Sequence, residues 1–176
     1  MAALANGLRI EKLVYLPAFA LSMAASVLIG RNLGAGDPER AERIGWKISF
    51  SGVVFVSVIA LPIFIWAKNV SSLVAQDPHV LAETARYLKI MMLSEPFMAL
   101  SVILGGYLQS AGDTKGTMFV IVSALWIISM PFAYLLAVVA GYGAVGVWIA
   151  MVVSMCFQGL AMTARFRCGG WKETRL

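Results

Sequence analysis

The chain has 176 residues, 60% of them hydrophobic and only 13% charged, with a mean hydropathy of +0.83 and a net charge of +5. A water-soluble domain carries about 25% charged residues, so this chain has too little polar surface to cover a soluble globule, and the bilayer is its implied solvent. In that setting the basic excess belongs to loops on one membrane face rather than to a nucleic-acid footprint, and two cysteines, Cys156 in an apolar run and Cys168 in a basic tail, make neither a disulfide framework nor a metal site.

Five apolar stretches follow one another, at roughly 13–30, 48–67, 90–112, 118–140 and 144–164. Each approaches or exceeds the ~20 residues that cross ~30 Å of hydrocarbon. Unpaired backbone groups are not tolerated in lipid, so the stretches are helices. The expected fold is all-α: a polytopic membrane protein, one membrane domain over 1–176, with helices near 3–32, 48–67, 88–112, 117–140 and 144–164.

The first helix is expected to start well before its apolar run, because "ALANGLRIEKLVYLP" has no breaker ahead of Pro17. A signal-peptide core is the other reading of this stretch, and the four later spans argue against it. Arg9, Glu11 and Lys12 then sit near one membrane face, where long basic side chains snorkel. Glu11, Tyr15, Ser22 and Ser26 recur at i, i+4, i+11 and i+15, which places them on one helical face. They are candidate cavity-lining residues, the alternative for the serines being bonds back to their own helix. Arg9 points away from that face.

The next segment, 31–47, carries Arg31, Arg40, Arg43 and Lys47. It reads as a hinge that holds anionic lipid headgroups. Within it Gly36 suits a left-handed helix end. Asp37 suits the cap of the following helix, with Pro38 at its first position. The pattern recurs at Gly112 and Asp113 in "LQSAGDTKG", and Asp77 with Pro78 opens a short interfacial helix, "DPHVLAETARYLK". If all five spans are real, nine basic residues share one side: Arg31, Arg40, Arg43, Lys47, Lys115, Arg165, Arg167, Lys172 and Arg175. Five lie on the other: Arg9, Lys12, Lys68, Arg86 and Lys89. The expected topology is a multi-pass protein of the cell membrane with its C-terminus in the cytoplasm.

The third span carries Glu95, the one acid well inside an apolar stretch. Such a charge costs roughly 2.5–3.5 kcal/mol on insertion scales, so it faces protein or water. Pro96 follows it and frees a backbone carbonyl near Met92. Met98, Val102, Gly106 and Gln109 continue the same face. Glu95 is therefore the cation-coupling candidate, with Met98 and Gln109 as further lining candidates; a structural ion pair with a basic residue of a neighbouring helix is the competing reading. Pro17, Pro62, Pro96 and Pro131 all interrupt spans, which suits helices bent around a cavity.

"LPAFALSMAASVLIGRNLGAGDPERAERI" and "EPFMALSVILGGYLQSAGDTKGTM" together resemble the second and fourth helices of the C-terminal half of multidrug and toxic compound extrusion (MATE) transporters, in the right order and on the same side. The resemblance runs over essentially the whole chain. It implies most of one six-helix lobe, from the eighth helix to the twelfth. It also implies secondary efflux of amphipathic, often cationic, compounds, driven by a sodium ion or proton, with no cofactor. Membrane lipids, the small-molecule substrate, and a missing N-terminal lobe or partner chain are the implied partners. Two departures stand out. Gln109 and Ser110 follow Leu108 where the family often has Arg and Gly, and Met98 falls near the place where some members carry a coupling acid. The residues leave open a flippase for lipid-linked sugars, a non-transporting membrane fragment and half of a split transporter. An enzyme is the least favoured reading. His79 stands alone, "GDTKG" lacks the spacing of a phosphate loop, and no strand precedes "GRNLGAG".

Overall fold

The computed structural model describes residues 2–75 and 77–172; Arg175 of the basic tail lies outside the described residues. All described regular structure is helical: α1 (Ala2–Gly34), α2 (Pro38–Ile65), a short α3 (Ala67–Ser72), α4 (Pro78–Met91), α5 (Glu95–Ser110), α6 (Thr114–Val139) and α7 (Gly143–Cys168). Helices α1, α2, α6 and α7 are each long and apolar enough to cross a membrane, and α4 with α5 forms a fifth, broken span bent by 56°.

Three of these differ in outline from the sequence expectation. The second helix, expected from 48, begins at Pro38, because "PERAERIGWK" is polar but fully helical. Asp37 caps it by accepting from the Arg40 N–H at 2.9 Å, and Ala41, Gly45, Ser49, Gly52, Val56 and Ala60 bury one continuous face. The 31–47 segment is consequently no long loop, since only residues 35–37 separate α1 from α2. The span expected over 88–112 is two helices. Pro96 has no N–H and its ring clashes with the preceding turn, so the chain breaks at 92–94 and restarts with Glu95 as the first residue of α5. The span expected at 117–140 is one helix from Thr114, but Ser123–Ser129 and Leu135–Val139 are wound as π-helix.

The helices form an antiparallel bundle with two cores, one at each end. The first gathers Ile10, Val14, Val56, Ala60, Tyr87, Leu88, Met91 and Trp148. The second gathers Ala25, Ile29, Ala41, Tyr107, Phe166 and Trp171. Between them α1 and α5 touch closely, with Ser22 Oγ donating to the Val102 carbonyl at 2.9 Å. No side chain fits at Gly106, which faces that serine. At the second core the rings of Tyr107 and Phe166 lie edge to face at 4.5 Å, and Trp171 stacks on Phe166. Gly36 and Gly112 both have positive φ, 75° and 89°, a conformation that costs a Cβ-bearing residue 1–2 kcal/mol or so. Asp113 accepts from the Gly116 N–H, and its carboxylate takes both Nε and Nη2 of Arg165, at 2.5 and 2.8 Å. That pair ties the α5–α6 turn to the end of α7.

Candidate functional site

The break before α5 sets the site. Ser94 precedes the helix but does not cap it; its hydroxyl donates to the Met91 carbonyl at 2.8 Å and lies 3.4 Å from Met155 Sδ on α7. Glu95 follows, only 1% exposed, and its Oε2 has no hydrogen-bond partner among the described residues. From α1 comes a second acid, Glu11, 3% exposed. It accepts a 2.6 Å hydrogen bond from the Tyr87 hydroxyl on α4. Tyr87 is itself held: its ring meets Trp148 of α7 edge to face at 5.3 Å, and Gly7 leaves the space its ring fills. Four helices thus converge on two carboxyl groups.

Tyr15 and Tyr87 lie near both acids, so the four groups form one cluster inside the bundle. Among the described residues the ion pairs are Arg86 with Glu83 and Arg165 with Asp113, so neither buried acid is paired with a base. An uncompensated carboxylate in a low-dielectric interior costs several kcal/mol. Beside this cluster, Leu8, Glu11, Lys12, Tyr15, Leu16 and Phe19 of α1, with Met151 and Met155 of α7, line an open groove of about 600 Å³, within the usual range for small-molecule pockets.

The other candidate residues are placed as follows. Glu11 and Tyr15 line the groove. Ser22 bonds across to α5, and Ser26 bonds back to the Ser22 carbonyl at 2.7 Å, so both hydroxyls are satisfied inside the bundle. Met98 is buried close to Glu95, and Gln109 is exposed near the far end of α5. Arg9 is exposed, on the side away from Glu11. Gly36, Asp37, Gly112 and Asp113 stand at the opposite end of the bundle. Tyr87 was not among the candidates. The signal for it is the apolar spacing of Thr84, Tyr87, Leu88 and Met91, which makes a buried stripe on α4. Among the described residues no group of three or more His, Cys, Asp or Glu side chains is placed to hold a metal ion.

Residues 1–135 match the family model MatE. The chain belongs to the MatE family. Over 170 residues this MatE chain is 28% identical to the probable multidrug resistance protein NorM of Thermotoga maritima, covering 95% of this chain and 36% of that protein. It is 26% identical over 152 residues to the uncharacterized transporter YisQ of Bacillus subtilis, covering 86% of this chain and 33% of that one. Its structure superposes on the crystal structure of the eukaryotic MATE transporter AtDTX14 with a TM-score of 0.90 at 25% identity, over 98% of this chain and 38% of that one. The MATE transporter ClbM, solved in complex with Rb+, shares the fold with a TM-score of 0.86 at 22% identity, over 98% of this chain and 42% of that one. The chain spans 33% and 36% of the length of the two curated relatives. A multi-pass, all-helical membrane protein of the MatE family is thus established from both sequence and fold.

Proposed function

We propose that this chain forms most of one lobe of a secondary multidrug efflux transporter, which exports amphipathic, often cationic, compounds in exchange for sodium ions or protons. The observation that carries the reading is Glu95, buried at a helix break with one carboxylate oxygen unpartnered and a second buried acid, Glu11, in the same cluster. Broken membrane helices hold coupling ions in transporters because the break brings polar groups to mid-membrane. The adjoining groove supplies the complementary surface: aromatic and thioether side chains adapt to varied apolar ligands, and Glu11 at its wall suits a cationic one.

The other helices of such a transporter come from the rest of a longer polypeptide or from a partner chain, consistent with the third of each curated relative that this chain matches. The C-terminus lies in the cytoplasm of a cell-membrane protein, and Arg31, Arg40, Arg43 and Lys47 rest against anionic headgroups. The test is made on the complete transporter in proteoliposomes. Glu95→Gln lowers gradient-coupled efflux at least tenfold while membrane insertion and thermal stability stay unchanged. Wild-type coupling in that variant rejects the role of Glu95 and the reading built on it.

A further inference from the structure

The two buried acids are not held alike. Tyr87, fully buried on α4, donates its hydroxyl proton to Glu11 Oε2 at 2.6 Å. That length is typical of charge-assisted O–H···O⁻ bonds, which are roughly twice as strong as neutral ones. The ring that carries the hydroxyl is itself fixed. Trp148 of α7 meets it edge to face at 5.3 Å. Gly7, one turn before Glu11 on α1, lies so close that a Cβ there would overlap the ring. Gly7 and Glu11 share one face of α1 at i and i+4; the first makes room for the ring and the second receives its hydroxyl. Glu95 has no such clasp, since its Oε2 has no hydrogen-bond partner among the described residues.

The other oxygen of Glu11 is left open. Oε1 makes no hydrogen bond among the described residues, and Glu11 lines the groove between α1 and α7, whereas Tyr87 does not. Leu8, Leu16, Phe19, Met151 and Met155 make most of that lining. Apolar and thioether walls accept many shapes, so they discriminate poorly between ligands of one shape and different charge. Discrimination by charge falls to the groove's charged side chains, Glu11 and Lys12. Lys12 is exposed, and its long stem carries the ammonium toward water. Glu11, 3% exposed, is held inside. A carboxylate in a wall of low dielectric acts strongly on a nearby cation, and one whose direction is fixed in advance loses less freedom on binding.

We infer that Tyr87 is the positioning residue for cation recognition: it holds one oxygen of Glu11 so that the other meets the positive charge of a compound in the groove, and it thereby sets the groove's preference for cations over anions. The inference rests on the transport reading above and deepens it, but its test is read at equilibrium, without a gradient. Tetraphenylphosphonium and tetraphenylborate have nearly the same shape and opposite charge. Each is titrated into the complete transporter in lipid nanodiscs, with uptake by empty nanodiscs subtracted, at a temperature where every variant is folded. The wild type binds the phosphonium at least tenfold more tightly than the borate. Tyr87→Phe, which keeps the ring, narrows that ratio at least threefold by weakening the phosphonium. Glu11→Gln narrows it more, and adding Tyr87→Phe to Glu11→Gln changes it no further, because Tyr87 acts through Glu11. Gly7→Ala, which displaces the ring and keeps its hydroxyl, narrows the ratio in the same direction if Tyr87→Phe fails to insert. Equal affinity for the two ions in the wild type overturns cation recognition by Glu11. Equal weakening of both ions by Tyr87→Phe, or an unchanged ratio, reduces Tyr87 to a structural role. Additive effects of Tyr87→Phe and Glu11→Gln overturn action through Glu11. Whether Glu95→Gln uncouples efflux is measured separately, so failure here is distinguishable from failure of the transport reading.

Discussion

At one end of the bundle Asp113 meets Arg165 through two hydrogen bonds, and Tyr107, Phe166 and Trp171 pack ring on ring beside them. At the other end Glu11 and Glu95 meet no base among the described residues, only the hydroxyl of Tyr87. The contrast separates an acid that the chain neutralises itself from acids that it leaves without a base; on the transport reading proposed above, the latter serve a mobile ion. The closed end is not perfect, since the hydroxyls of Tyr107 and Ser49 are buried there without a hydrogen-bond partner among the described residues. A neutral hydroxyl left so costs about 1–3 kcal/mol, whereas a carboxylate costs more and attracts ions. The two ends therefore differ in kind: one pairs its acid with a base, and the other buries two acids that no base meets among the described residues.

The comparison can be broken most forcefully at the closed end. Trp171 is 1% exposed and contacts both Tyr107 and Phe166. Trp171→Ala is expected to cost about 3–5 kcal/mol, read as a lower midpoint in thermal unfolding in detergent, with no direct change at the acid pair. A smaller loss sharpens the other side. Tyr87→Phe removes the donor to Glu11 and is expected to cost about 1–3 kcal/mol. Adding Glu11→Gln to that variant recovers part of the loss, because the stranded group no longer carries charge; a double-mutant cycle measures the coupling. The smallest effect belongs to Arg165→Gln, which breaks the pair and leaves Asp113 capping α6. Arg165 is 44% exposed in its side chain, so solvent screens the pair, and the expected cost is about 1 kcal/mol. It should shrink further in high salt, checked by the same unfolding assay.

How far the sequence reveals these features follows from what each depends on. The all-helical membrane fold and its family are legible because apolar length and the two Gly-Asp junctions are local properties. Asp37, Asp77 and Asp113 act on N–H groups two or three residues away, so their spacing is visible in a line of letters. The start of α2 is marked by Asp37 and Pro38, but its continuity into the span is hidden, because hydropathy marks the part of a helix that meets lipid and "PERAERIGWK" projects beyond it. The depth of Glu95 in its apolar stretch signals burial, but its company does not. Glu11 and Tyr87 are 76 residues apart, and only the packing of α1 against α4 makes them neighbours. The π-helical turns of α6 have no composition of their own; "SALWIIS" reads as ordinary apolar helix.

The reach of that Glu11–Tyr87 bond has a consequence for the making of the protein. Translation proceeds at roughly 5–20 residues per second, so 76 residues of separation amount to about 4–15 s between the synthesis of the acid and of the hydroxyl that donates to it. Ser22 waits slightly longer, with 80 residues between it and the Val102 carbonyl. During that interval α1 already carries its polar face, while the helices that satisfy it are still inside the ribosome or not yet made. The polar face of α1 therefore gains its partners within this chain only when α4 and α5 have been made.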